Sequence, residues 1–366
     1  MVIETPALFQ PIRVGRMNLA HRVVHAPCTR SRATPDNVAT DLMAKYMAER
    51  AEPGAFYIGE ATFMAARAAG FPLGNPGIWR EDQIAGWKKS VDVVHAKGGY
   101  IYLQIVALGR VSFPDLLGDY PYIGAGDIPM GDRPNGPRPR ALTIPEIKEY
   151  IIDFATAARN AVEGAGFDGV ELHGAHGFLI EQFLKDSSNN RTDEYGGSVE
   201  NMARFVLELV DAVSDAIGED RVGIRFSPWP TNLNENKSDP IPVYTYVLRQ
   251  LAERHPKMAY VHFTEPRVDK EQIRELKPGE GNDVFREAWG DRPFIAAGGF
   301  TRETALEVTA KHPNVLVAFG RHYTSNPDLP ERLRLNLPLR HYERPYFYAS
   351  GEKGYLGYKK WSEESS

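Results

Sequence analysis

The sequence has a single cysteine, Cys28, among its 366 residues, so no intrachain disulfide can form. This scarcity excludes the small secreted folds that depend on several disulfides. Uninterrupted apolar runs are also short, well below the roughly 18 residues that span a bilayer. Residues 1–6 lack the charged and apolar parts of a signal peptide. We therefore expect a cytoplasmic protein with no membrane partner.

An excess of charge of one sign is missing as well. Lys and Arg total 43 and Asp and Glu total 48, which gives a formal net charge of −5. Without a basic block, the chain is not expected to bind nucleic acid. Hydrophobic residues make up 42% of the sequence, which is typical of a globular protein and not of a disordered one. No linker, low-complexity tract or fixed-period repeat divides the chain, so we expect one domain over residues 1–366.

Eight short apolar runs recur along the chain, and most of them precede a helical pattern. Each run is four or five residues long and rich in β-branched and aromatic residues, as buried parallel strands are. The runs cover residues 23–26, 55–58, 100–103, 169–172, 222–226, 260–263, 294–297 and 315–319.

Amphipathic patterns between these runs predict helices over residues 143–163, 198–217, 244–253 and 301–311. Eight strands that alternate with helices predict an α/β fold of the (β/α)8 TIM barrel type. The alternative, a doubly wound open sheet, would place Gly-x-Gly-x-x-Gly after the first strand, and no such motif is found there. We expect long loop insertions in this barrel around residues 111–139 and 229–240.

The strand ends carry the candidate ligand-binding residues, because barrel active sites lie at the carboxyl ends of the strands. The seventh strand is followed by Gly298 and Gly299, and the eighth by Gly320 and Arg321. Glycine lets an oxyanion approach backbone N–H groups, and arginine can bind a phosphate with two parallel hydrogen bonds. These positions predict a phosphate-bearing ligand. The alternative is two ordinary glycine turns and a surface arginine.

Two polar residues interrupt the apolar strand pattern itself. Arg225 lies in the fifth strand, where an unpaired buried cation is costly, so an anionic group should meet it. That group is either a cofactor edge or a carboxylate of this chain, Glu60 or Glu171. Gln104 ends the third strand, and its amide can donate and accept at once, as recognition of a heterocyclic imide requires.

A histidine pair ends the fourth strand. His173 and His176 are three residues apart in a segment with flanking glycines. They could donate hydrogen bonds to one substrate oxygen, or, together with Glu171, bind the metal of a barrel hydrolase. No further His or Cys has convincing ligand spacing, so we predict no metal.

Several motifs, in order along nearly the whole chain, resemble those of the old yellow enzyme family of FMN-dependent ene-reductases. They include Ala-Pro-Cys-Thr-Arg-Ser-Arg-Ala at residues 26–33 and further motifs at residues 164–173, 191–198 and 320–329. The resemblance implies an enzyme that binds FMN, uses NADPH as its reductant and reduces the activated C=C bonds of enals and enones. It also implies a monomer or a homodimer.

The resemblance implies roles for individual residues. His173 and His176 would bind the carbonyl oxygen of the substrate, next to Phe71 and Val106, and Tyr348 would close over the flavin or the substrate. Among the residues implied to bind FMN, the arginine would stabilise the negative charge of the reduced flavin. Those residues are Pro27, Cys28, Thr29, Ala61, Gln104, Arg225, Gly298, Gly299, Gly320, Arg321 and Phe347.

Two positions depart from the family pattern. The tyrosine acid that protonates the substrate's α-carbon is Phe178 here, and a tryptophan near Gln104 is replaced by Val106, which predicts a roomier pocket. A phenyl ring cannot donate a proton. Either solvent or Tyr348 replaces it in a reductase, or the enzyme catalyses a redox-neutral isomerisation or cyclisation. The sequence is similar to the fungal ergot-alkaloid branch of the family, which includes the chanoclavine-aldehyde reductases, so fungal secondary metabolism is the expected setting.

Overall fold

Eight parallel strands form a closed barrel in the computed structural model, which describes residues 5–72, 74–229, 238–269, 272–273, 275–277 and 279–364. Each strand pairs with its neighbours in sequence, and the eighth pairs with the first. The predicted (β/α)8 barrel is confirmed, and every strand begins within one residue of its predicted start. The strands are β1 (Val23–His25), β2 (Phe56–Phe63), β3 (Tyr100–Val106), β4 (Gly169–Gly174), β5 (Val222–Phe226), β6 (Tyr260–Thr264), β7 (Phe294–Ala297) and β8 (Val315–Phe319).

Helices lie between successive strands and after the last one. The predicted helix over residues 143–163 is confirmed as α3 and the π-helical turn Asn160–Ala165 that follows it. Its capping box is formed, because the Glu146 carboxylate accepts from the Thr143 N–H at 2.8 Å. The helices are α1 (Asp41–Arg50), α2 (Glu81–His95), α3 (Ile144–Arg159), α4 (Leu179–Leu184), α5 (Val199–Ile217), α6 (Ile241–Arg254), α7 (Asp283–Trp289), α8 (Arg302–Lys311), α9 (Arg321–Ser325), α10 (Leu329–Leu335) and α11 (Trp361–Glu364).

An aromatic layer fills the amino-terminal half of the barrel. The rings of Phe56, Tyr102 and Tyr260 pack against one another with centroids 5.1–5.7 Å apart. The backbone leaves room for them, since a Cβ atom at Gly223 would lie 2.3 Å from the Tyr260 ring. A hairpin of two short strands, Ile12–Val14 and Met17–Leu19, packs its apolar side chains onto this layer. This end of the barrel is therefore filled, and ligands must enter at the other.

Several strands reach further than their apolar runs. β3 continues to Val106 and β4 to Gly174, so Gln104 and His173 lie inside strands and do not follow them. β2 continues past an irregularity between Gly59 and Thr62. The predicted ends were too early because polar residues break the hydrophobic pattern where the barrel interior stops being apolar.

The first predicted loop insertion, residues 111–139, contains a 3-10 turn at Pro114–Leu116 and is closed by pairing of Ile123–Gly124 with Arg140–Ala141. Most of the second, residues 229–240, lies outside the described residues, which resume at 238. The single domain over residues 1–366 stays a prediction. Across the described ranges, no helix is both long and apolar enough to cross a membrane.

Candidate active site

A cavity of about 1330 Å³ opens at the carboxyl ends of the barrel strands. Its wall contains every residue that the sequence analysis singled out as a site residue, although their roles stay predictions. They are Pro27, Cys28, Thr29, Ala61, Phe71, Gln104, Val106, His173, His176, Phe178, Arg225, Gly298, Gly299, Gly320, Arg321, Phe347 and Tyr348. With Thr264 of the sixth strand, the cavity wall gathers residues from all eight strand ends and the carboxyl-terminal segment around one space.

The floor of the cavity is a polar layer that lies on the aromatic layer. Gln104 Nε2 donates to Glu171 Oε1 at 2.7 Å, and His262 Nδ1 lies 2.8 Å from Glu171 Oε2. Glu171 and His262 are fully buried. His262 lies beneath the cavity and is not among the residues that line it. The sequence could have pointed to it, because it is, like Arg225, a polar side chain in an apolar strand.

Arg225 is the cation of this floor. It is 8% exposed and lines the cavity, yet it forms no hydrogen bond or ion pair with any residue that the structure describes. Burial lowers the pKa of its guanidinium, and the nearby Glu171 carboxylate opposes that shift. Neither carboxylate considered from the sequence is bonded to it, because Glu171 is engaged as above and Glu60 accepts from the backbone N–H of Arg30. An anionic group bound in the cavity would therefore stabilise this buried cation.

At the opposite end of the cavity, glycines leave the backbone open to close approach by a ligand. Gly298 and Gly299 have φ angles of +107° and +67°, which favour glycine. A Cβ atom at Gly320 would lie 2.9 Å from the Cys28 sulfur. Arg321 lines the same region, and its Nη1 donates to the Tyr342 hydroxyl.

Further cavity residues that the sequence did not predict come from the segment after β8, among them His341, Tyr342 and Arg344. These three lie too far beyond a strand for the rule that places function at strand ends to identify them. They add positive and aromatic groups to the end of the cavity that holds Arg321.

The histidine pair stands above the floor. The rings of His173 and His176 are 5.5 Å apart at 81°. Burial lowers the pKa of both imidazoles well below the usual range, and the Arg225 charge acts in the same direction. Both rings are therefore neutral at pH 7, and each keeps one N–H to donate.

The buried carboxylate of Glu181 supports the loop that carries His176. The backbone of His176 has a φ angle of +57°. The His176 N–H donates to Ser227 Oγ at 2.8 Å, and Ser227 Oγ donates to Glu181 Oε1. The Gly177 N–H donates to the other Glu181 oxygen at 2.6 Å. These bonds hold the second histidine in a left-handed conformation that a non-glycine residue rarely adopts.

One side of the cavity wall is formed by the phenyl ring of Phe178, which carries no polar atom. Its ring packs 4.7 Å from the His173 ring at 77°. Around it lies an apolar wall that includes Ala61, Phe63 and Val106. No proton donor occupies the position where the family pattern has a tyrosine.

Comparison with known proteins decides the family. The model of the NADH:flavin oxidoreductase / NADH oxidase family matches residues 7–340. The chain belongs to this family. A reductase from Epichloe festucae var. lolii, named "Probable inactive reductase easA", is 43% identical over 99% of this chain and 97% of its own length. "Chanoclavine-I aldehyde reductase fgaOx3" from Penicillium roqueforti (strain FM164) is 44% identical over 96% of this chain and 95% of its own.

A solved structure agrees with the family assignment. The flavin oxidoreductase chain superposes on the crystal structure of Old Yellow Enzyme from Pichia sp. AKU4542 with a TM-score of 0.88 and 36% identity. The match covers 98% of this chain and 94% of that one. The resemblance drawn from the motifs is confirmed, and FMN is the cofactor, with NAD(P)H as the reductant typical of the family.

The cavity of this flavin oxidoreductase fits FMN on its own chemistry. The unpaired Arg225 offers a cation to an anionic ring edge, and Gln104 offers an amide. Gly298 and Gly299 expose backbone beside Arg321, which suits a phosphate. The metal alternative has no comparable support, because the described residues contain no group of three His, Cys, Asp or Glu that could hold an ion.

The carboxyl-terminal segment is tied to the flavin-side turn after β1. Arg30 Nε donates to the Phe347 carbonyl at 3.1 Å, and Arg32 donates to the Phe347 and Tyr346 carbonyls at 2.8 and 3.0 Å. These bonds place Phe347 on the cavity wall and leave Tyr348 at the mouth, 57% exposed.

Cys28 lies in the same turn, beside Gly320, the residue that follows β8. Its sulfur fills the space beside Gly320. Burial raises the pKa of the thiol, so the reactive thiolate is disfavoured. This environment favours a small packing residue over a redox group.

Glu60 supports the turn from below and generates a prediction about pH. Its carboxylate accepts from the Arg30 and Ser31 N–H groups, and burial raises its pKa to about 7. The pKa of a glutamate in the unfolded chain is about 4.3. Between about pH 4.3 and pH 7, the folded protein therefore holds a proton on Glu60 that the unfolded chain has lost. Stability contributed by the protonated form is therefore lost as pH rises from about 4.3 to 7.

We expect Glu60→Gln to remove this loss, because the amide oxygen still accepts from the turn and carries no charge. The difference in unfolding free energy, variant minus wild type, should rise by roughly 2 kcal/mol between pH 5 and pH 8. Urea denaturation of the FMN-loaded protein at several pH values measures it. Glu331→Gln on the surface of α10 controls for the loss of a charge, and a difference that stays level with pH would contradict the prediction.

Proposed function

We propose that this flavoprotein reduces the activated C=C bonds of α,β-unsaturated carbonyl compounds, with NADPH as the reductant. The observation that carries the proposal is a pair of neutral imidazoles, His173 and His176, above a floor that presents the unpaired Arg225. A substrate carbonyl needs hydrogen-bond donors, and a reduced flavin needs a cation. One cavity offers both.

Each end of the cavity would hold one part of FMN. Gln104 and Arg225 would meet the pyrimidine edge of the ring, and Gly298, Gly299 and Arg321 would bind the phosphate. The remaining wall of the ring site would be formed by Pro27, Cys28, Thr29, Ala61, Gly320 and Phe347. FMN, when bound and reduced, supplies the electron pair for the reaction.

The histidine pair would bind and activate the substrate. Two N–H groups, one from His173 and one from His176, converge on a carbonyl oxygen and withdraw electron density from the conjugated system. The β-carbon becomes electrophilic, and the two N–H donors stabilise the negative charge that develops on the oxygen. The apolar residues Phe71, Val106 and Phe178 would contact the carbon skeleton, and their arrangement suits a bulky substrate.

The relatives support a carbonyl substrate and a biosynthetic setting. The Penicillium roqueforti relative is named for the reduction of an aldehyde, and the matched fungal proteins include several named easA. Some of those relatives are named inactive. We propose that this chain is active, since Gln104, His173, His176 and Arg225 all line its cavity.

Substrate reduction is the first test. We expect the FMN-loaded protein to oxidise NADPH when an enal or enone is added, and to yield the saturated carbonyl. His173→Ala and His176→Ala should each lower kcat/KM by about 100-fold, the cost of removing one donor to a developing oxyanion.

Steady-state NADPH oxidation with product analysis measures these effects. His312→Ala, at the end of α8 and outside the cavity, is the matched control and should retain wild-type rates. A folded protein that takes up no FMN, or one that loses no activity in either cavity variant, would overturn the proposal.

A second candidate function, redox-neutral isomerisation or cyclisation, is favoured by one observation. The wall beside His173 is apolar at Phe178, so no acid lies there to protonate the α-carbon. In the reductase, the proton comes from water or from Tyr348 at the mouth. If that proton arrives slowly, rotation about the former double bond can occur, and the β-carbon would then give up the hydride it received. The substrate would leave as an isomer with no net use of NADPH.

Restoring the phenol separates the two functions. Phe178→Tyr should speed protonation and raise the NADPH consumed per product toward one, with the saturated compound as the product. If the enzyme is an isomerase, the ratio of NADPH consumed to product formed is well below one in the wild type and approaches one in Phe178→Tyr. A wild-type ratio of one, unchanged in the variant, would eliminate the isomerase. Gas chromatography of products against NADPH consumption, under anaerobic conditions, gives both quantities.

A further inference from the structure

Beneath the proposed flavin site lies a fully buried carboxylate to which neither the reaction nor the family resemblance gives a role. Glu171 projects from β4 into the barrel, between the aromatic layer and the cavity floor. Gln104 stands opposite it in the β3–β4 register. On its other side, Gly223 of β5 has no side chain, so the carboxylate reaches across to His262 of β6.

The carboxylate is ionised although it is buried. Burial acts to raise the pKa of Glu171, but His262, Arg225 and Gln104 outweigh burial and lower it. Burial lowers the pKa of His262, and the Glu171 carboxylate opposes that shift. Nδ1 of His262 must carry the hydrogen that meets Glu171 Oε2, because an ionised carboxylate can only accept.

The same rule fixes the orientation of Gln104. Its NH2 group must face Glu171, since a carboxylate offers no donor to an amide oxygen. The carbonyl Oε1 and the second N–H are then the groups left for a ligand in the cavity. Without the carboxylate, the amide could turn by 180° at little cost and present the opposite pattern.

Glu171 also faces the charge of Arg225. The guanidinium has no bonded partner among the described residues, and Glu171 is the carboxylate that contributes to its electrostatic environment. An anion held below the floor weakens the positive potential that Arg225 presents to the cavity. The positive potential that a ligand meets at Arg225 therefore depends on the charge of Glu171 as well.

We propose that Glu171, held by His262, is a positioning residue for FMN: it orients the Gln104 amide toward the imide edge of the flavin and moderates the Arg225 charge beside the reduced ring. The inference rests on the proposed function. It predicts two separable effects, one on cofactor binding through orientation and one on the reduction potential through charge.

Glu171→Gln tests both effects at nearly constant volume. The potential of bound FMN should shift to a more positive value, because an anion near the reduced ring is removed. FMN binding should weaken by roughly three- to tenfold, the loss expected for one misdirected hydrogen bond. Dye-coupled reductive titration measures the potential, and flavin fluorescence on dilution measures the dissociation constant.

Glu171→Asp separates the two effects because it keeps the charge and loses the reach. FMN should bind more weakly, as in Glu171→Gln, while the potential stays near the wild-type value. Glu331→Gln, an exposed carboxylate on α10, controls for net charge and should change neither quantity. If Glu171→Gln and Glu171→Asp shift the potential equally, the charge part of the inference is wrong.

His262 carries the test if the Glu171 variants do not fold. His262→Leu removes one donor from the carboxylate and should loosen FMN and shift its visible absorption band. His262→Asn, whose amide N–H can replace Nδ1–H, should restore both. Variants that bind FMN with wild-type affinity, potential and spectrum would overturn the inference and leave the proposed function intact, whereas a wild-type protein that binds no FMN would overturn both.

Discussion

The site depends on a charge held in an otherwise apolar barrel. Arg225 lies on β5 in a row of buried strand residues, and its guanidinium has no bonded partner in the described part of the chain. Transfer of a lone cation from water to such a place is costly. The polar residues around it, Gln104, Glu171 and His262, hydrogen-bond to one another and not to Arg225. Glu171 contributes the nearby negative charge, and an anionic flavin edge in the cavity would add a direct partner for the guanidinium.

The two halves of the barrel interior are packed differently, and the polar layer lies between them. Below the floor, three aromatic rings and the amino-terminal hairpin exclude water. Above it, the strands end, and Gly298 and Gly299 leave backbone without side chains at the cavity wall. The polar layer lies at the boundary, dry enough for its hydrogen bonds to be strong and open enough for the guanidinium to face the cavity.

A buried carboxylate also supports the cavity residues around the histidine pair. Glu181 holds the backbone of Gly177 directly and that of His176 through Ser227. Burial in this region lowers the pKa of both cavity histidines, which makes them donors without charge. Phe178, in contact with His173, places a phenyl ring without a proton donor beside the histidine pair. The two proposed functions, reduction and isomerisation, differ in how they account for this ring.

Much of this arrangement could be predicted from the sequence, and the exceptions share a cause. Strand starts followed from apolar runs, and the residues at strand ends line the cavity because parallel strands bring their carboxyl ends together. Strand ends were set too early where Gln104 and His173 break the hydrophobic pattern. The pairing of Glu171 with Gln104 and His262 depends on register and on a glycine in β5, and composition encodes neither.

The tail residues His341, Tyr342 and Arg344 escaped for a different reason. They belong to a segment with no regular structure beyond the 3-10 turn Arg344–Tyr346. Long-range side-chain contacts hold this segment at the cavity: Asn326 binds the backbone of Arg340, and Arg30 and Arg32 bind the backbone farther along. A sequence pattern records secondary structure well and such long-range side-chain contacts to backbone poorly.

The central claim is that one cavity holds FMN on its floor and presents the histidine pair to an oxygen directly above the flavin. A spectral titration of the FMN-loaded protein with a phenol tests it most directly. A phenolate oxygen bound by His173 and His176 would place an electron-rich ring on the flavin face, so a long-wavelength charge-transfer band should grow to saturation, and the double variant His173→Ala/His176→Ala should abolish it. Tight FMN binding with no such band, or an undiminished band in the double variant, would contradict the account.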